Sequence, residues 1–168
     1  MPDSAYVKYS KSLAFRSVNG ARDAAVLIRF GRDLYLESLG RDDAFFRDFG
    51  PYGAAFPKWI DACAAAHPDF AKLLHEDGRP IGLVALGLDD RGAGMGRVHH
   101  FYIEPGHRGQ GFGGLLDDYA RDVLSAAGAQ RARLNVAAQN DRAIRFYEAQ
   151  GWERCDKRGG LIFMETKL

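Results

Sequence analysis

The feature that most constrains the fold of this sequence is a glycine-rich segment between a predicted strand and a predicted helix. Four glycines fall within six residues, in Gly109-Gln110-Gly111-Phe112-Gly113-Gly114. Glycine allows positive φ and lets a ligand approach the backbone closely, and the first N–H groups of a following helix lack intrahelical partners. We therefore expect a turn whose backbone amides bind a phosphate or diphosphate, with Arg108 adding a charge-assisted contact.

The same segment fits more than one interpretation. Gly109, Gly111 and Gly114 match the Gly-x-Gly-x-x-Gly pattern of NAD(P)-binding oxidoreductases. Against that pattern, residues 104–108 separate the strand from the first glycine, and residues 133–135 read Arg-Leu-Asn where an acidic residue should hold the ribose. A P-loop is excluded because no Gly-Lys-Ser/Thr occurs. A purely structural connection is a further alternative, although so many glycines would weaken a helix start.

Hydrophobic spacing along the chain predicts an α/β fold. The predicted strands cover residues 12–16, 70–75, 80–88, 98–103, 131–136, 152–155 and 161–166, and the predicted helices cover 21–38, 58–66, a segment after Gly114 and a segment from Asn140. Residues 41–59, rich in aromatic side chains but interrupted by Gly50-Pro51 and Pro57, are predicted to form a loop. A hairpin-rich first part joined to a β-α-β second part implies a mixed sheet with helices on both faces.

Two blocks of sequence resemble the GNAT-type N-acetyltransferase superfamily. Arg108, Gly111 and Gly113 fit Arg-x-x-Gly-x-Gly and, with the preceding residues 101–105, resemble that superfamily's acetyl-CoA signature. Residues 140–152 resemble its second motif, which runs from an asparagine through a helix to a tyrosine, then a glycine and an aromatic residue. The resemblance implies a single GNAT domain over residues 1–168, with a mostly antiparallel sheet of about six or seven strands that is splayed at the cofactor site.

The resemblance also implies a reaction and a donor site. Acetyl-CoA would be the co-substrate, and its acetyl group would pass directly, in a ternary complex, to a primary amine of a small molecule or peptide. The donor would lie where the strand 98–103 separates from the strand 131–136, bound by Phe101, Ile103, Arg108, Gly109, Gln110, Gly111, Phe112, Gly113, Gly114 and Asn140. For Asn140 a plain helix N-cap role is an equal alternative. A non-catalytic acyl-CoA sensor is the alternative for the whole protein.

Acetyl transfer needs a neutral amine, hydrogen-bond donors for the oxyanion and a proton for the leaving thiolate. Tyr147 matches the superfamily tyrosine that often protonates the leaving sulfur, with a core tyrosine as the alternative. His99 is the candidate base that removes the amine's proton through water, because an ordinary histidine pKa near 6.5 suits that role; a packed or solvated histidine is the alternative. Strand alternation predicts that His99 and His100 point to opposite faces, His99 on that of Phe101.

The acceptor pocket is implied at residues 40–59 and 156–160, the regions from which the superfamily builds it. The first region carries Asp42, Asp43 and Asp48 among its aromatic residues. Carboxylates and aromatic faces would suit an amine-bearing acceptor, whereas solvated acids and aromatics packed beneath a loop are the alternative. Many members of the superfamily pair as dimers, and the final strands are the candidate surface for a homodimer.

Composition argues against several other classes of protein. The 23 basic and 22 acidic residues give a formal net charge of +1, which disfavours a nucleic-acid-binding protein. Cys63 and Cys155 are too few for a disulfide framework and are expected to be small buried hydrophobes in a reducing compartment. Cys63 and His67 supply only two ligands, so we expect no metal. The longest apolar run, residues 81–88, is too short to span a membrane, and no signal peptide is visible, so we expect a cytoplasmic protein.

Overall fold

A seven-stranded sheet forms the centre of the computed structural model, which describes residues 11–89 and 94–168. Its strands are β1 (Leu13–Ser17), β2 (Ala71–Glu76), β3 (Arg79–Leu88), β4 (Met95–Ile103), β5 (Arg131–Ala137), β6 (Glu153–Arg158) and β7 (Leu161–Lys167). The helices are α1 (Ala24–Leu39), α2 (Asp43–Phe49), α3 (Ala55–Ala66), α4 (Phe112–Ala126) and α5 (Asp141–Ala149). Between β3 and β4, the glycine-rich sequence of residues 89–96 predicts a turn, and residues 90–93 of that segment lie outside the described residues.

The sheet has the spatial order β1-β2-β3-β4-β5-β7-β6. Every neighbouring pair is antiparallel except β4 and β5, which run parallel. That parallel pairing covers only Met95–Arg97 against Arg131–Arg133, after which the two strands separate. The predicted mixed, mostly antiparallel sheet with a splay between these strands is therefore confirmed.

Apolar side chains cover both faces of the sheet. On one face, Leu116 and Leu124 of α4 and Ile144 of α5 pack in one buried cluster with residues of β3, β4, β5 and β7. On the other face, α1, α2 and α3 supply a second cluster that includes Leu27, Phe30, Phe45, Phe56 and Ile60. Residues 81–86 are buried along their whole length, as expected for a strand that is covered on both faces.

The segment predicted as a loop over residues 41–59 is largely helical, so this prediction was wrong. Helix α2 lies within it, and α3 begins at Ala55 rather than at residue 58. Phe45 is fully buried, and its ring centroid lies 5.3 Å from that of Phe49 and 5.5 Å from that of Phe56. Pro57 occupies the first turn of α3, where its missing N–H removes no intrahelical hydrogen bond.

Strand β4 contains a bulge that overturns the predicted orientation of its histidines. Ala85 pairs with His100 and Leu86 with Val98, so His99 has no opposite residue on β3. The extra residue breaks the alternation of faces. The indole ring of Trp59 lies 5.4 Å from both imidazole rings, which places both on the α3 side of the sheet.

The strand β6 forms one edge of the sheet, and all six of its residues are exposed. Five of these six side chains are charged in the sequence Glu-Arg-Cys-Asp-Lys-Arg, which discourages pairing with a further strand. The predicted burial of Cys63 is confirmed, whereas that of Cys155 was wrong because Cys155 lies on this exposed edge. No helix within the described ranges is long and apolar enough to cross a membrane.

Candidate functional site

The glycine-rich turn leads from β4 into α4 with an open backbone. Gly109 has φ +71° and Gly111, the N-cap of α4, has φ +88°. Both values lie in the left-handed region that glycine adopts without strain. No side chain caps the first turn of α4, and that turn carries no acidic residue. Its N–H groups and the positive end of the helix dipole are therefore available to an anion.

Two adjoining cavities lie beside this turn. The turn cavity has a volume of about 410 Å³ and is lined by Gly109, Gly111, Gly113 and Gly114 together with residues of β4 and α5. The splay cavity, about 550 Å³, occupies the gap between β4 and β5 and reaches α1 and α2. The residues that line both cavities are Phe101, Ile103, Arg108, Arg142, Ala143 and Tyr147. One extended ligand can therefore enter beneath the glycines and end between the strands.

Most of the predicted donor-site residues meet at these cavities. Besides the shared Phe101, Ile103, Arg108 and Tyr147, the four glycines line the turn cavity, and His99 and Asn140 line the splay cavity. Gln110 and Phe112 line neither cavity, and the side-chain amide of Gln110 donates a 3.3 Å hydrogen bond to the carbonyl of Gly106.

The side chain of Arg108 is held on the α1 side of the turn. Its Nε donates a 2.8 Å hydrogen bond to the carbonyl of Ile103, and its Nη2 contacts both carboxylate oxygens of Glu37 at 2.6 and 2.8 Å. Arg142 also donates to Glu37, at 3.2 Å. Glu37 is a site residue that the sequence analysis missed, because it lies 71 residues before Arg108 in a helix with no motif.

Tyr147 is buried between the two cavities and packs on aromatic neighbours. Its ring centroid lies 6.0 Å from that of Phe101, 5.3 Å from that of Phe146 and 6.0 Å from that of Trp152. Its hydroxyl makes no hydrogen bond within the described ranges. Burial, helped by the charge of Asp117, raises the pKa of Tyr147 well above its ordinary value of 10, so the hydroxyl stays protonated.

The two histidines of the β4 bulge differ in burial. His99 is exposed on one side, and desolvation of its ring, followed by the charge of Arg97, lowers its pKa. His100 is buried beside the rings of Phe56 and Trp59. This burial lowers the pKa of His100 to about 3, and its Nδ1 has no hydrogen-bond partner in the described chain. Both rings line the splay cavity and are neutral at pH 7.

Asn140 caps the start of α5. Its side-chain oxygen accepts a 3.2 Å hydrogen bond from the backbone N–H of Ala143, and its side-chain nitrogen donates to the hydroxyl of Ser38 at 3.4 Å. The N-cap alternative for Asn140 is thus realised, at a position that also borders the splay cavity.

The outer wall of the splay cavity comes from α1, α2 and the β6–β7 turn. Of the three acidic residues predicted near the acceptor, only Asp48 lines this cavity, where it accepts hydrogen bonds from Tyr35 and Arg47, each at 3.0 Å. Gly159 and Leu161 border the opposite side. Among the described residues, no group of three or more His, Cys, Asp or Glu side chains is placed to hold a metal ion.

Residues 34–152 match the family model described as the acetyltransferase (GNAT) family. The chain belongs to the GNAT family. Solved structures with a similar fold include the PaiA N-acetyltransferase of Thermoplasma acidophilum in complex with coenzyme A, with a TM-score of 0.79 and 20% identity over 94% of this chain and 99% of that one. The yncA protein of Salmonella typhimurium with acetyl-CoA gives a TM-score of 0.70 and 19% identity over 94% of both chains.

Curated relatives agree with this GNAT assignment. A mycothiol acetyltransferase of Beutenbergia cavernae is 36% identical over 79% of this chain and 57% of its own length. An uncharacterized N-acetyltransferase of Methanocaldococcus jannaschii is 22% identical over 81% of this chain and 61% of its own length. The GNAT chain described here therefore spans about three fifths of the length of the curated relatives that it matches.

Proposed function

We propose that this GNAT protein is an N-acetyltransferase that moves an acetyl group from acetyl-CoA to a primary amine of a small molecule or peptide. The observation that carries the proposal is the junction of the two cavities at Tyr147. When the open amides at Gly109–Gly114 bind the diphosphate of the donor, the rest of the donor molecule would lie along Phe101 and Ile103 and reach toward the gap between β4 and β5. The family match and the solved relatives that hold coenzyme A or acetyl-CoA support this donor.

The proposed reaction is a direct transfer in a ternary complex. The neutral amine attacks the thioester carbonyl, a C–N bond forms, and the tetrahedral intermediate collapses with loss of the thiolate. Backbone N–H groups near the β4 bulge would stabilise the oxyanion, because a bulged residue is left outside the strand ladder. Tyr147 would give its proton to the departing sulfur, since its hydroxyl is protonated and its side chain lies where the two cavities join.

We propose that His99 accepts, through water, the proton that the attacking amine loses. Its imidazole is neutral at pH 7, lines the splay cavity and is open to water on one side. His100 is less suited to accept the proton because its ring is buried and keeps its neutral form down to a pKa of about 3. The acceptor would enter past Tyr35 and Asp48, whose carboxylate would attract a cationic amine.

The size of the site and one relative support the proposed acceptor class. The splay cavity has a volume of about 550 Å³, which suits a small molecule or the end of a peptide. A relative with 36% identity is named a mycothiol acetyltransferase, which favours a small-molecule amine. A cytoplasmic location and a homodimer stay predictions from the sequence.

The decisive experiment combines donor titration with a panel of amines. We expect coenzyme A, and not NAD(P), to bind in calorimetry, and acetyl-CoA to release free thiol only when the right primary amine is present. Binding of NAD(P) alone would favour the oxidoreductase alternative. Coenzyme A binding with background acetylation across amino acids, polyamines, aminosugars and peptides would favour the acyl-CoA sensor.

A further inference from the structure

Glu37, near the end of α1, pairs with two arginines from opposite sides of the gap between β4 and β5. Arg108 follows β4, and Arg142 lies in the first turn of α5, which follows β5. The Oε2 atom of Glu37 accepts hydrogen bonds from both guanidinium groups, at 2.8 Å from Arg108 and 3.2 Å from Arg142. One carboxylate therefore joins the two chain segments that the splay separates.

Neighbouring contacts extend this bridge to the end of α1. The side-chain amide of Gln139 donates a 3.1 Å hydrogen bond to the carbonyl of Ser38, and that of Asn140 donates to the Ser38 hydroxyl at 3.4 Å. Helix α1 also carries Leu34 and Tyr35 into the splay cavity. The same helix thus forms an acceptor-side wall and contacts the loops that follow both strands.

The bridge occupies cations that an anionic donor would otherwise attract. Arg108 and Arg142 line both cavities, whereas Glu37 lines only the splay cavity. The side chains of Glu37 and Arg108 are 27% and 24% exposed, whereas that of Arg142 is 57% exposed. The Arg142 contact is longer and better solvated, so it is the one that a phosphate group can displace more easily.

We propose that Glu37 is a positioning residue of the acetyl transfer, which holds Arg108 and Arg142 across the gap and competes with the donor's phosphates for them. This inference rests on the proposed function. The two guanidinium groups would repel each other without the shared carboxylate. Glu37 therefore orders the gap and attaches the acceptor-side helix to it, while it lowers the affinity of the free protein for the donor.

The test compares coenzyme A binding to the wild type, Glu37→Gln and Glu37→Asp. The glutamine keeps the shape and an acceptor oxygen but removes the charge. We expect Glu37→Gln to lower the Kd for coenzyme A about threefold or more, with a steeper dependence on salt, because two more cationic donors become free. The transfer rate of Glu37→Gln at saturating acetyl-CoA should fall about tenfold. Glu37→Asp keeps the charge, so its coenzyme A affinity and its transfer rate should lie closer to those of the wild type.

Glu148→Gln is the matched control, since Glu148 pairs with Arg154 at 2.6 Å on the exposed surface and lines neither cavity. Arg142→Gln, made in the wild type and in Glu37→Gln, tests the competition from the other side. It should weaken coenzyme A binding more in the Glu37→Gln background, where Arg142 is free to meet the donor.

Three outcomes would each overturn the inference and leave the proposed function standing. They are weaker coenzyme A binding by a folded Glu37→Gln, coenzyme A binding by Glu37→Gln equal to that by Glu148→Gln, and an equal effect of Arg142→Gln in both backgrounds. A wild type that binds no coenzyme A would overturn the proposed function, and this inference with it. A Glu37→Gln variant that melts earlier and binds coenzyme A less well would show that Glu37 is only structural.

Discussion

The backbone of Gly113 lies against the ring of Phe146. A Cβ on Gly113 would come within 2.9 Å of that ring, closer than real Cβ contacts allow. This contact brings the first turn of α4 close to α5, the helix that carries Tyr147. Gly113 is thus required for packing between helices, whereas Gly109 and Gly111 are required for their positive φ.

A substitution at Gly111 tests whether the turn binds the donor's diphosphate, separately from any effect on the stability of the fold. Gly111→Ala should weaken coenzyme A binding about tenfold, because a side chain at φ +88° is strained and the turn's amides would move. Gly106→Ala is the control, since Gly106 lies just before the turn in an ordinary conformation with open space around it. Calorimetric titration and a thermal melt of each variant measure the effect. Equal coenzyme A affinity in both variants would place the diphosphate elsewhere.

Loss of the Tyr147 hydroxyl should slow transfer with little effect on folding. Tyr147→Phe keeps the ring that packs against Phe101 and Phe146 and removes only the proposed proton donor. We expect kcat to fall about a hundredfold, with the coenzyme A affinity nearly unchanged. Tyr119→Phe is the control, because its hydroxyl donates to the carbonyl of Asp69 away from both cavities. A Tyr147→Phe enzyme as fast as Tyr119→Phe would exclude the acid role.

The pH profile of transfer reports on His99. A base acts in its neutral form, so a pKa below the ordinary 6.5 keeps His99 competent to lower pH. We expect the acid limb of kcat/KM to have its midpoint below 6.5, and His99→Gln to lower the rate and abolish that limb. An unchanged limb in His99→Gln would assign the titration to another group or to the acceptor itself.

The stability of the fold should fall as pH drops below 6.5, because of His100. Its pKa is about 3 in the folded state and near 6.5 when unfolded, so the unfolded chain binds more protons between these values. This histidine alone should lower the free energy of unfolding by about 2 kcal/mol between pH 7 and pH 5. His100→Phe keeps an aromatic ring beside Phe56 and Trp59. Between pH 7 and pH 5, the free energy of unfolding of this variant, measured with denaturant, should fall by about 2 kcal/mol less than that of the wild type. Identical losses in both proteins would contradict the burial of a neutral imidazole.

Local patterns in the sequence were sufficient to predict a mixed sheet and the position of the glycine turn, whereas the splay of the sheet was implied by the resemblance to the GNAT superfamily. Helix α2 was missed because Gly50-Pro51 and Pro57 were interpreted as breaks in one loop. Gly50 and Pro51 do end α2, but Pro57 falls within the first turn of α3, where proline is tolerated. The four-residue spacing of Phe45 and Phe49 was the signal that could have revealed α2, since Phe45 lies in the buried cluster and Phe49 packs against it.

The site depends on features that a single sequence does not encode locally. The bulge at His99 depends on how β4 pairs with β3, and alternation alone predicted the wrong face. The contact between Glu37 and Arg142 joins residues 105 positions apart. Neither feature has a motif, since each arises only when separate segments pack together.

The short parallel pairing of Met95–Arg97 with Arg131–Arg133 makes the middle of the sheet its least firmly bonded junction. Few backbone hydrogen bonds cross it, so thermal fluctuations should part the strands there more readily than at the antiparallel neighbours. Amide exchange in β4 and β5 beyond this short pairing should then be faster than in β3 and β7, the antiparallel strands on either side of them. Two interior strands of the sheet would thus be less protected than their position in the domain suggests.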